Sequence, residues 1–476
     1  MTDWPRNPLV RASGVYPFQR LTEARRMLGD ALPGRPLVDL GAGEPREETP
    51  AFIRRALVAA IEAETVSSYP LAVGLPELRE SIARWCATRF GVRLDPDRHV
   101  LPTLGSKELV FSLAQLLVDR DAGRDLVAAP RPGYPVYERG ARHAGAEVLP
   151  LPLLAANGFL PDLDAITPEQ WSRLVLLWTN YPNNPTAAVA DRGWYRDAVA
   201  RCREHGVVLA SDEAYSELWF DGEPPTSALE VALDGHAPDG GGNVDADGDR
   251  SDGDPDDPGA DGTDDGGRLE GVLVVNTLSK RSSMPGYRSG FVAGDAALIA
   301  DLKRFRPSVG TAPQRFVQHA AVAAWADEDH VVAVRARYRE KLATLQPGLD
   351  ALGLDSVGGA ASFFRWLRVP DGWSERVATS GDPERESQVR ALLADAPVRS
   401  TQDDGAHRGL ARNGAMREDG GQDDVALAAR LLVGAGIVVA PGSFFGPEGA
   451  GHVRVALVPT AEDCAVAAKR LLALTA

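Results

Sequence analysis

The sequence predicts an α/β protein with a mostly parallel central sheet and flanking helices, joined to a smaller α+β domain. Short and almost wholly apolar runs recur between segments with helical periodicity, a pattern typical of strands covered on both faces. Beyond about residue 310, long helical segments precede two further strand-like runs. A chain of 476 residues exceeds one ordinary domain core, so two domains are expected.

The elements are expected in the following order. The first forty-odd residues show no regular pattern. Helices should begin near Pro50 and Pro76, where apolar residues then recur at helical spacing. Strands should follow at 125–129, 173–179, 206–211, 271–279 and 290–294, then a long helical stretch at 316–345 and strands at 363–369 and 452–458. This order predicts an N-terminal arm (1–47) that packs on the small domain, a large domain (48–308) and a small C-terminal domain (309–476).

Two segments break the pattern and are interpreted as mobile surface insertions. Residues 234–268 contain twelve Asp, no Glu, ten Gly and two Arg, a net charge of −10 out of −16 for the whole chain. So little apolar surface could not offset the entropy of ordering this segment. Residues 371–424 are also polar and rich in Gly, and are interpreted in the same way.

Composition excludes several classes of function. The net charge of −16 argues against binding to nucleic acid or to an anionic membrane. No apolar leader and no run of 18 apolar residues occurs, and the three cysteines are far apart, so a cytoplasmic protein is expected. The aspartate run that starts at Asp245 lacks the Gly and Glu of a calcium loop, and no metal site is expected.

Polar residues follow the predicted strands at the point where each strand ends. Asn184 follows the run at 173–179, Asp212 and Tyr215 follow the next, and Lys280 and Arg288 follow the run at 271–279. Ligands bind beyond the carboxyl ends of strands in an open parallel sheet, so these side chains should line one crevice.

A lysine in such a crevice could form a Schiff base, but it needs an electron sink that protein side chains cannot supply. Pyridoxal 5'-phosphate (PLP) supplies one. Its pyridine nitrogen needs a buried carboxylate (Asp212), its phenolic oxygen needs donors (Asn184 and Tyr215), and its ring needs an aromatic face (Tyr134). Its phosphate needs backbone N–H groups, which the turn at 105–107 before a helix can provide.

These residues resemble the fold-type I PLP-dependent aminotransferases of the aspartate aminotransferase superfamily. The resemblance implies that Lys280 forms the Schiff base and shuttles the proton, with Asp212 and Tyr215 as the other catalytic groups. It implies that the cofactor is held by Ser106, Lys107, Tyr134, Asn184, Asp212, Tyr215, Thr277, Lys280 and Arg288, with Tyr69 contributed by a second subunit. It also implies a substrate site at Gly43, Asn184 and Arg454, a homodimer with shared active sites, and amino-acid and 2-oxo-acid substrates.

Within this superfamily, residues 278–295 and 439–457 are most similar to the actinobacterial type of N-succinyldiaminopimelate aminotransferase of lysine biosynthesis. The expected reaction is amino transfer between N-succinyl-LL-2,6-diaminopimelate and 2-oxoglutarate, with Lys107 or Arg281 as guesses for the contact to the succinyl group. Departures such as Ser283 and Pro285 remove no catalytic group.

Three alternatives stay open: an aspartate or aromatic aminotransferase, a fold-type I PLP lyase or synthase, and a non-enzymatic regulator with an aminotransferase-like domain. The regulator would need an N-terminal DNA-binding domain, whereas the resemblance begins near residue 15.

Overall fold

The computed structural model describes residues 7–12, 14–29, 36–234, 268–310, 313–379, 382–394 and 423–475. The strands are β1 (Val38–Asp39), β2 (Val100–Thr103), β3 (Leu126–Arg131), β4 (Glu147–Pro152), β5 (Leu174–Asn180), β6 (Val208–Asp212), β7 (Val272–Thr277), β8 (Gly290–Gly294), β9 (Asp355–Ser356), β10 (Phe364–Arg368), β11 (Ile437–Val438), β12 (Ala440–Pro441) and β13 (His452–Ala456).

The helices are α1 (Pro8–Ala12), α2 (Pro17–Gly29), α3 (Ala51–Ala63), α4 (Pro76–Phe90), α5 (Ser106–Leu117), α6 (Val136–His143), α7 (Pro168–Arg173), α8 (Arg192–Glu204), α9 (Ala228–Asp234), α10 (Leu278–Arg281), α11 (Ala296–Phe305), α12 (Arg315–Trp325), α13 (Asp329–Ala351), α14 (Trp373–Arg376), α15 (Pro383–Ala394), α16 (Asp423–Arg430) and α17 (Ala461–Ala473). The predicted acidic insertion lies outside the described residues except at its two ends.

The central sheet has seven strands in the order β2-β8-β7-β6-β5-β3-β4. β8 runs antiparallel to β2 and β7, and the other neighbours are parallel. The five apolar runs overlap β3, β5, β6, β7 and β8, although the last two residues of the run at 271–279 begin helix α10. The predicted α/β fold with a mostly parallel sheet is therefore confirmed.

Both faces of this sheet are covered by helices. Leu176 of β5 belongs to the same buried cluster as Leu109 of α5. The next residue, Leu177, points to the other face and belongs to a second cluster with Val199 of α8. Successive strand residues face opposite sides, so a strand buried on both faces must be apolar at every position.

The carboxyl ends of the parallel strands bring polar residues side by side. Asn180, the last residue of β5, pairs in register with Asp212, the last residue of β6. Asp212 in turn pairs with Val275, two residues before β7 ends at Thr277. The residues that follow these strands therefore start from one edge of the sheet, as the sequence predicts.

A second sheet, of four antiparallel strands, has the order β12-β13-β10-β9. β1 pairs in parallel with β11. The N-terminal region contains the helix α2, in contrast to the irregular segment expected, and the Phe18 ring of this helix contacts the rings of Phe444 and Phe445. Helix α2 and strand β1 therefore both contact the C-terminal part of the chain. The predicted domain boundaries themselves stay predictions.

The interpretation of residues 371–424 as a surface insertion is wrong for α15. Val389 and Leu393, one helical turn apart, are buried, and Arg430 Nε forms an ion pair with Glu386 Oε1 at 3.0 Å. Most other residues of this helix are exposed and its first half is polar, so average composition hid the apolar positions. Residues 395–422 lie outside the described ranges.

Across the described ranges, no helix combines the length and apolar character needed to cross a lipid bilayer. In the same part of the chain, no three His, Cys, Asp or Glu side chains are grouped so that they could hold a metal ion.

Candidate active site

Lys280 lies immediately beyond β7, on the short helix α10. Thr277 caps this helix, because its Oγ1 accepts a hydrogen bond from Ser279 N at 3.2 Å. Lys280 Nζ donates to Gly43 O at 2.6 Å and lies 5.9 Å from the centre of the Tyr215 ring. Burial, assisted by the positive charge of Arg454, lowers the pKa of Lys280 to about 8. The side chain is therefore an amine that can lose its proton near neutral pH.

Asp212 is a buried carboxylate, 5% exposed, at the end of β6. Its Oδ2 accepts a hydrogen bond from Tyr137 OH at 2.7 Å, and its Oδ1 accepts one from Ala214 N at 3.3 Å. Burial raises the pKa of Asp212 to about 6 in spite of these hydrogen bonds. No described cation forms an ion pair with Asp212, so the site favours a positively charged ligand group beside it.

Tyr137 was not among the site residues predicted from the sequence. Its ring stacks on Trp178 of β5 with centres 5.0 Å apart, which aims its hydroxyl at Asp212. The available signal was its position three residues after Tyr134, and the two ring centres lie 5.8 Å apart.

Arg454, in the middle of β13, is a buried guanidinium without a carboxylate partner among the described residues. It is 2% exposed, donates from Nη1 to Asn184 Oδ1 at 2.8 Å and from Nη2 to Gly41 O at 2.6 Å, and leaves Nε unbonded. The Phe364 ring centre lies 4.3 Å from its Cζ. Burial lowers the pKa of Arg454 to about 10. Such a buried cation is suited to bind a carboxylate ligand.

Two more tyrosines of the site, Tyr215 and Tyr134, are also buried or partly buried. Tyr215 is buried, with its ring edge-on to Phe363 and Phe364. Tyr134 shares a hydrogen bond with Tyr16, and burial raises the pKa of both phenols. Tyr16 was missed because the N-terminal region gave no regular pattern.

A second positive region forms where α5 begins. Gly105 has φ +69°, which favours glycine, and a Cβ there would lie 2.4 Å from Arg288 Nη2, so any larger residue would displace the Arg288 guanidinium. Arg288 donates to Pro285 O at 3.0 Å and to Leu104 O at 3.3 Å. Neither Arg288 nor Lys107, two residues after Gly105, forms an ion pair with a described carboxylate.

The structure thus brings together most of the predicted site residues. Lys280, Tyr215, Asn184 and Arg454 are linked by the contacts above. Asn180 joins Asn184 to Asp212, because its Oδ1 accepts from Asn184 N at 2.9 Å and its Nδ2 donates to Asp212 O at 2.8 Å. Gly43, Tyr134, Ser106, Lys107, Thr277 and Arg288 lie on the segments that these contacts join. Their individual roles stay predictions.

Two residues lie elsewhere. Tyr69 is 99% exposed, and its role in a partner's site stays a prediction. Arg281 was a guess for the contact to the succinyl group, but it is buried against Trp85 and Trp325 and pairs with Glu328. That guess is wrong, because the side chain points into the protein rather than into the crevice.

Comparison with known proteins decides the family. Residues 35–471 match the model of aminotransferase class I and II. The chain belongs to this family. It is a PLP-dependent aminotransferase.

Individual relatives agree with this assignment. The aminotransferase is 32% identical over 429 residues to an LL-diaminopimelate aminotransferase of Desulforudis audaxviator (strain MP104C), covering 90% of this chain and 88% of the relative. It superposes on an aminotransferase from Neisseria meningitidis Z2491 with a TM-score of 0.75 and 31% identity, covering 99% and 100% of the chains. It is also similar to a probable N-succinyldiaminopimelate aminotransferase from Thermus thermophilus, with a TM-score of 0.69 and 28% identity, covering 96% and 100%.

The geometry of the aminotransferase fits PLP. The carboxylate of Asp212 is buried and forms no ion pair with a cation of the described residues, which leaves it available to a pyridinium. Arg288 lies against the glycine turn that opens α5, where exposed backbone N–H groups and a guanidinium can take a phosphate dianion.

Proposed function

We propose that this aminotransferase acts on N-succinyl-LL-2,6-diaminopimelate with 2-oxoglutarate as the amino acceptor. The observation that carries the proposal is the likeness of residues 278–295 and 439–457 to the N-succinyldiaminopimelate type. Relatives named for diaminopimelate and for its N-succinyl derivative support the substrate class.

PLP, when bound, supplies an electron sink that stabilises negative charge at the substrate Cα. In this proposal Asp212 keeps the pyridine nitrogen protonated, and Tyr137 orients the carboxylate. Asn184 and Tyr215 donate to the phenolic oxygen, and Tyr134 packs on the ring. The phosphate is held by backbone N–H groups of Ser106 and Lys107 and by the side chains of Thr277 and Arg288.

The chain's own groups perform the remaining tasks. Arg454 binds the substrate α-carboxylate through two guanidinium N–H groups, beside Gly43 and Asn184. This contact fixes the orientation of the Cα–H bond. Lys280 takes the Cα proton and returns it on the way to product, because an amine with a pKa of about 8 exchanges protons readily near neutral pH.

We also propose a homodimer in which Tyr69 reaches the phosphate of the partner's site. Tyr69 is one of five large apolar side chains that are exposed between residues 58 and 71, with Val58, Ile61, Val66 and Leu71. A group of exposed apolar side chains in one short stretch of chain is consistent with a subunit contact. An open cavity of about 540 Å³ is lined by Leu57, on the same helix α3 as Val58 and Ile61, and by Tyr287 and Phe316 among others. A monomer by sedimentation, or unchanged PLP affinity in Tyr69→Phe, would contradict this assembly. The cytoplasmic location stays a prediction.

LL-diaminopimelate without the succinyl group is the second candidate. Relatives at 32% and 33% identity carry that name. An aspartate or aromatic aminotransferase and a PLP lyase also remain alternatives, because the same cofactor residues serve several reactions.

The test is a substrate comparison with purified holoenzyme. Glutamate-dependent amination of N-succinyl-2-amino-6-oxopimelate is measured beside the reactions of LL-diaminopimelate, aspartate, phenylalanine and N-acetylornithine with 2-oxoglutarate. The N-succinyl compound should have the highest kcat/KM. Preference for another compound by about 100-fold would refute the substrate assignment, since differences of that size reflect contacts built for a distinct group.

A further inference from the structure

Three side chains from separate elements meet at the edge of the crevice and form what we call the Tyr16 cluster: Tyr16, Lys107 and Arg139. Lys107 Nζ lies 5.3 Å, and Arg139 Cζ 5.1 Å, from the centre of the Tyr16 ring. The Tyr16 hydroxyl shares a hydrogen bond with Tyr134. The three residues come from the segment before α2, the first turn of α5 and α6.

The cluster concentrates positive charge. Lys107 is exposed and forms no ion pair or hydrogen bond with a described carboxylate. Partial burial, together with the positive charges of Arg288 and Arg139, lowers the pKa of Lys107. Like charges placed around one ring repel each other, and an anion bound there would relieve that repulsion.

The cluster is connected to the α-carboxylate site by two aromatic rings. Arg454 Cζ lies 5.2 Å from the centre of the Phe18 ring, and the Phe18 and Tyr16 ring centres are 5.7 Å apart. A ligand held by Arg454 at one end can therefore extend along Phe18 and Tyr16 toward the positive charges of Lys107 and Arg139. Both rings belong to the N-terminal segment.

We infer that Lys107 and Arg139 form a distal anion subsite, which selects amino acids whose far end carries two carboxylates. This inference rests on the proposed function and narrows it. The far end of N-succinyl-LL-2,6-diaminopimelate has two carboxylates and no ammonium group. The far end of LL-diaminopimelate has one carboxylate and one ammonium group, and the two cations repel that ammonium group.

The first test measures binding without reaction. Heptanedioate and heptanoate share a carboxylate for Arg454, but only heptanedioate has a distal carboxylate. In holoenzyme, Arg139→Gln and Lys107→Gln should each raise the Kd of heptanedioate about tenfold and change that of heptanoate less than about twofold, because a charge-assisted hydrogen bond is lost. Arg142 is an exposed arginine on the same helix as Arg139, and Arg142→Gln should change the Kd of neither acid. Equal effects on the two acids, or none in either variant, would overturn the inference.

The second test reverses the charge. Arg139→Glu should lower the ratio of kcat/KM for N-succinyl-LL-diaminopimelate to that for LL-diaminopimelate by about 100-fold, since an attraction becomes a repulsion. An unchanged ratio in a folded variant with normal PLP content refutes the subsite. A parent enzyme that turns over neither compound refutes the proposed function instead, and the heptanedioate result still decides the subsite.

Discussion

Replacing Arg454 by methionine separates a binding role from a structural role. Burial lowers the pKa of this arginine to about 10, and the depression from its usual value corresponds to about 3 kcal/mol of unfavourable burial. The side chain is charged in the folded and the unfolded chain at pH 7, so this penalty is fully present there and disappears only above about pH 10. Methionine removes it.

The same substitution leaves two buried acceptors, Gly41 O and Asn184 Oδ1, without their donor. Each costs about 1 to 2 kcal/mol, and these losses oppose the gain. We therefore expect the free energy of unfolding of Arg454→Met to stay within about 1 kcal/mol of the parent. Substrate binding should suffer far more, because two charge-assisted hydrogen bonds to the α-carboxylate are lost. At about 2 kcal/mol each, kcat/KM should fall about 1000-fold.

The assay combines denaturant unfolding with steady-state kinetics on the PLP-loaded protein. Arg368→Met is the control, because Arg368 is an exposed arginine at the end of the neighbouring strand β10. This variant should leave both the free energy of unfolding and kcat/KM nearly unchanged. A loss of more than about 3 kcal/mol in stability would mean that Arg454 mainly holds the fold together. A decrease in kcat/KM smaller than about tenfold would refute the carboxylate contact.

Three further predictions follow from the geometry of the site. Capture of PLP by the cofactor-free protein should accelerate as pH rises through about 8, because only the neutral amine of Lys280 attacks an aldehyde; a flat profile contradicts the effect of burial. Gly105→Ala should weaken PLP binding at least about tenfold through its clash with Arg288, whereas Gly123→Ala, with the same φ of +69° and open space, should not. Tyr137→Phe should raise the pKa of Asp212, which is about 6 in the parent, by roughly one unit or more, because a hydrogen bond to the charged form is lost. NMR titration measures this pKa. An unchanged pKa would show that the 2.7 Å hydrogen bond does not act on the carboxylate.

The strands of the large sheet were predictable because they are buried on both faces. A run such as 173–179 has no polar alternation, and few other structures accommodate seven such residues. The polar residues after each run were predictable for the related reason that carboxyl ends of parallel strands meet at one edge. Asp212 and Lys280 could therefore be assigned to one crevice before any contact was known.

Helix α15 and the Tyr16 cluster could not be predicted in this way. Val389 and Leu393 belong to a short apolar stretch inside a largely polar region, and their burial depends on partners distant in the chain. Tyr16 belongs to a segment without periodicity, and its contacts with Lys107 and Arg139 join residues about 90 and 120 positions apart. Local pattern carries no information about such pairs.

The sequence by itself determined the fold class, the order of the main strands and the chemical types that meet at the strand ends, because periodicity and strand polarity are local properties. Tertiary structure alone decided which charges lack partners. Arg454 and Arg281 both read as arginines near the crevice, yet Arg281 pairs with Glu328 inside the protein, and Arg454 has no carboxylate among the described residues. Burial and the distances between charges set that difference, and both depend on how segments hundreds of residues apart pack together.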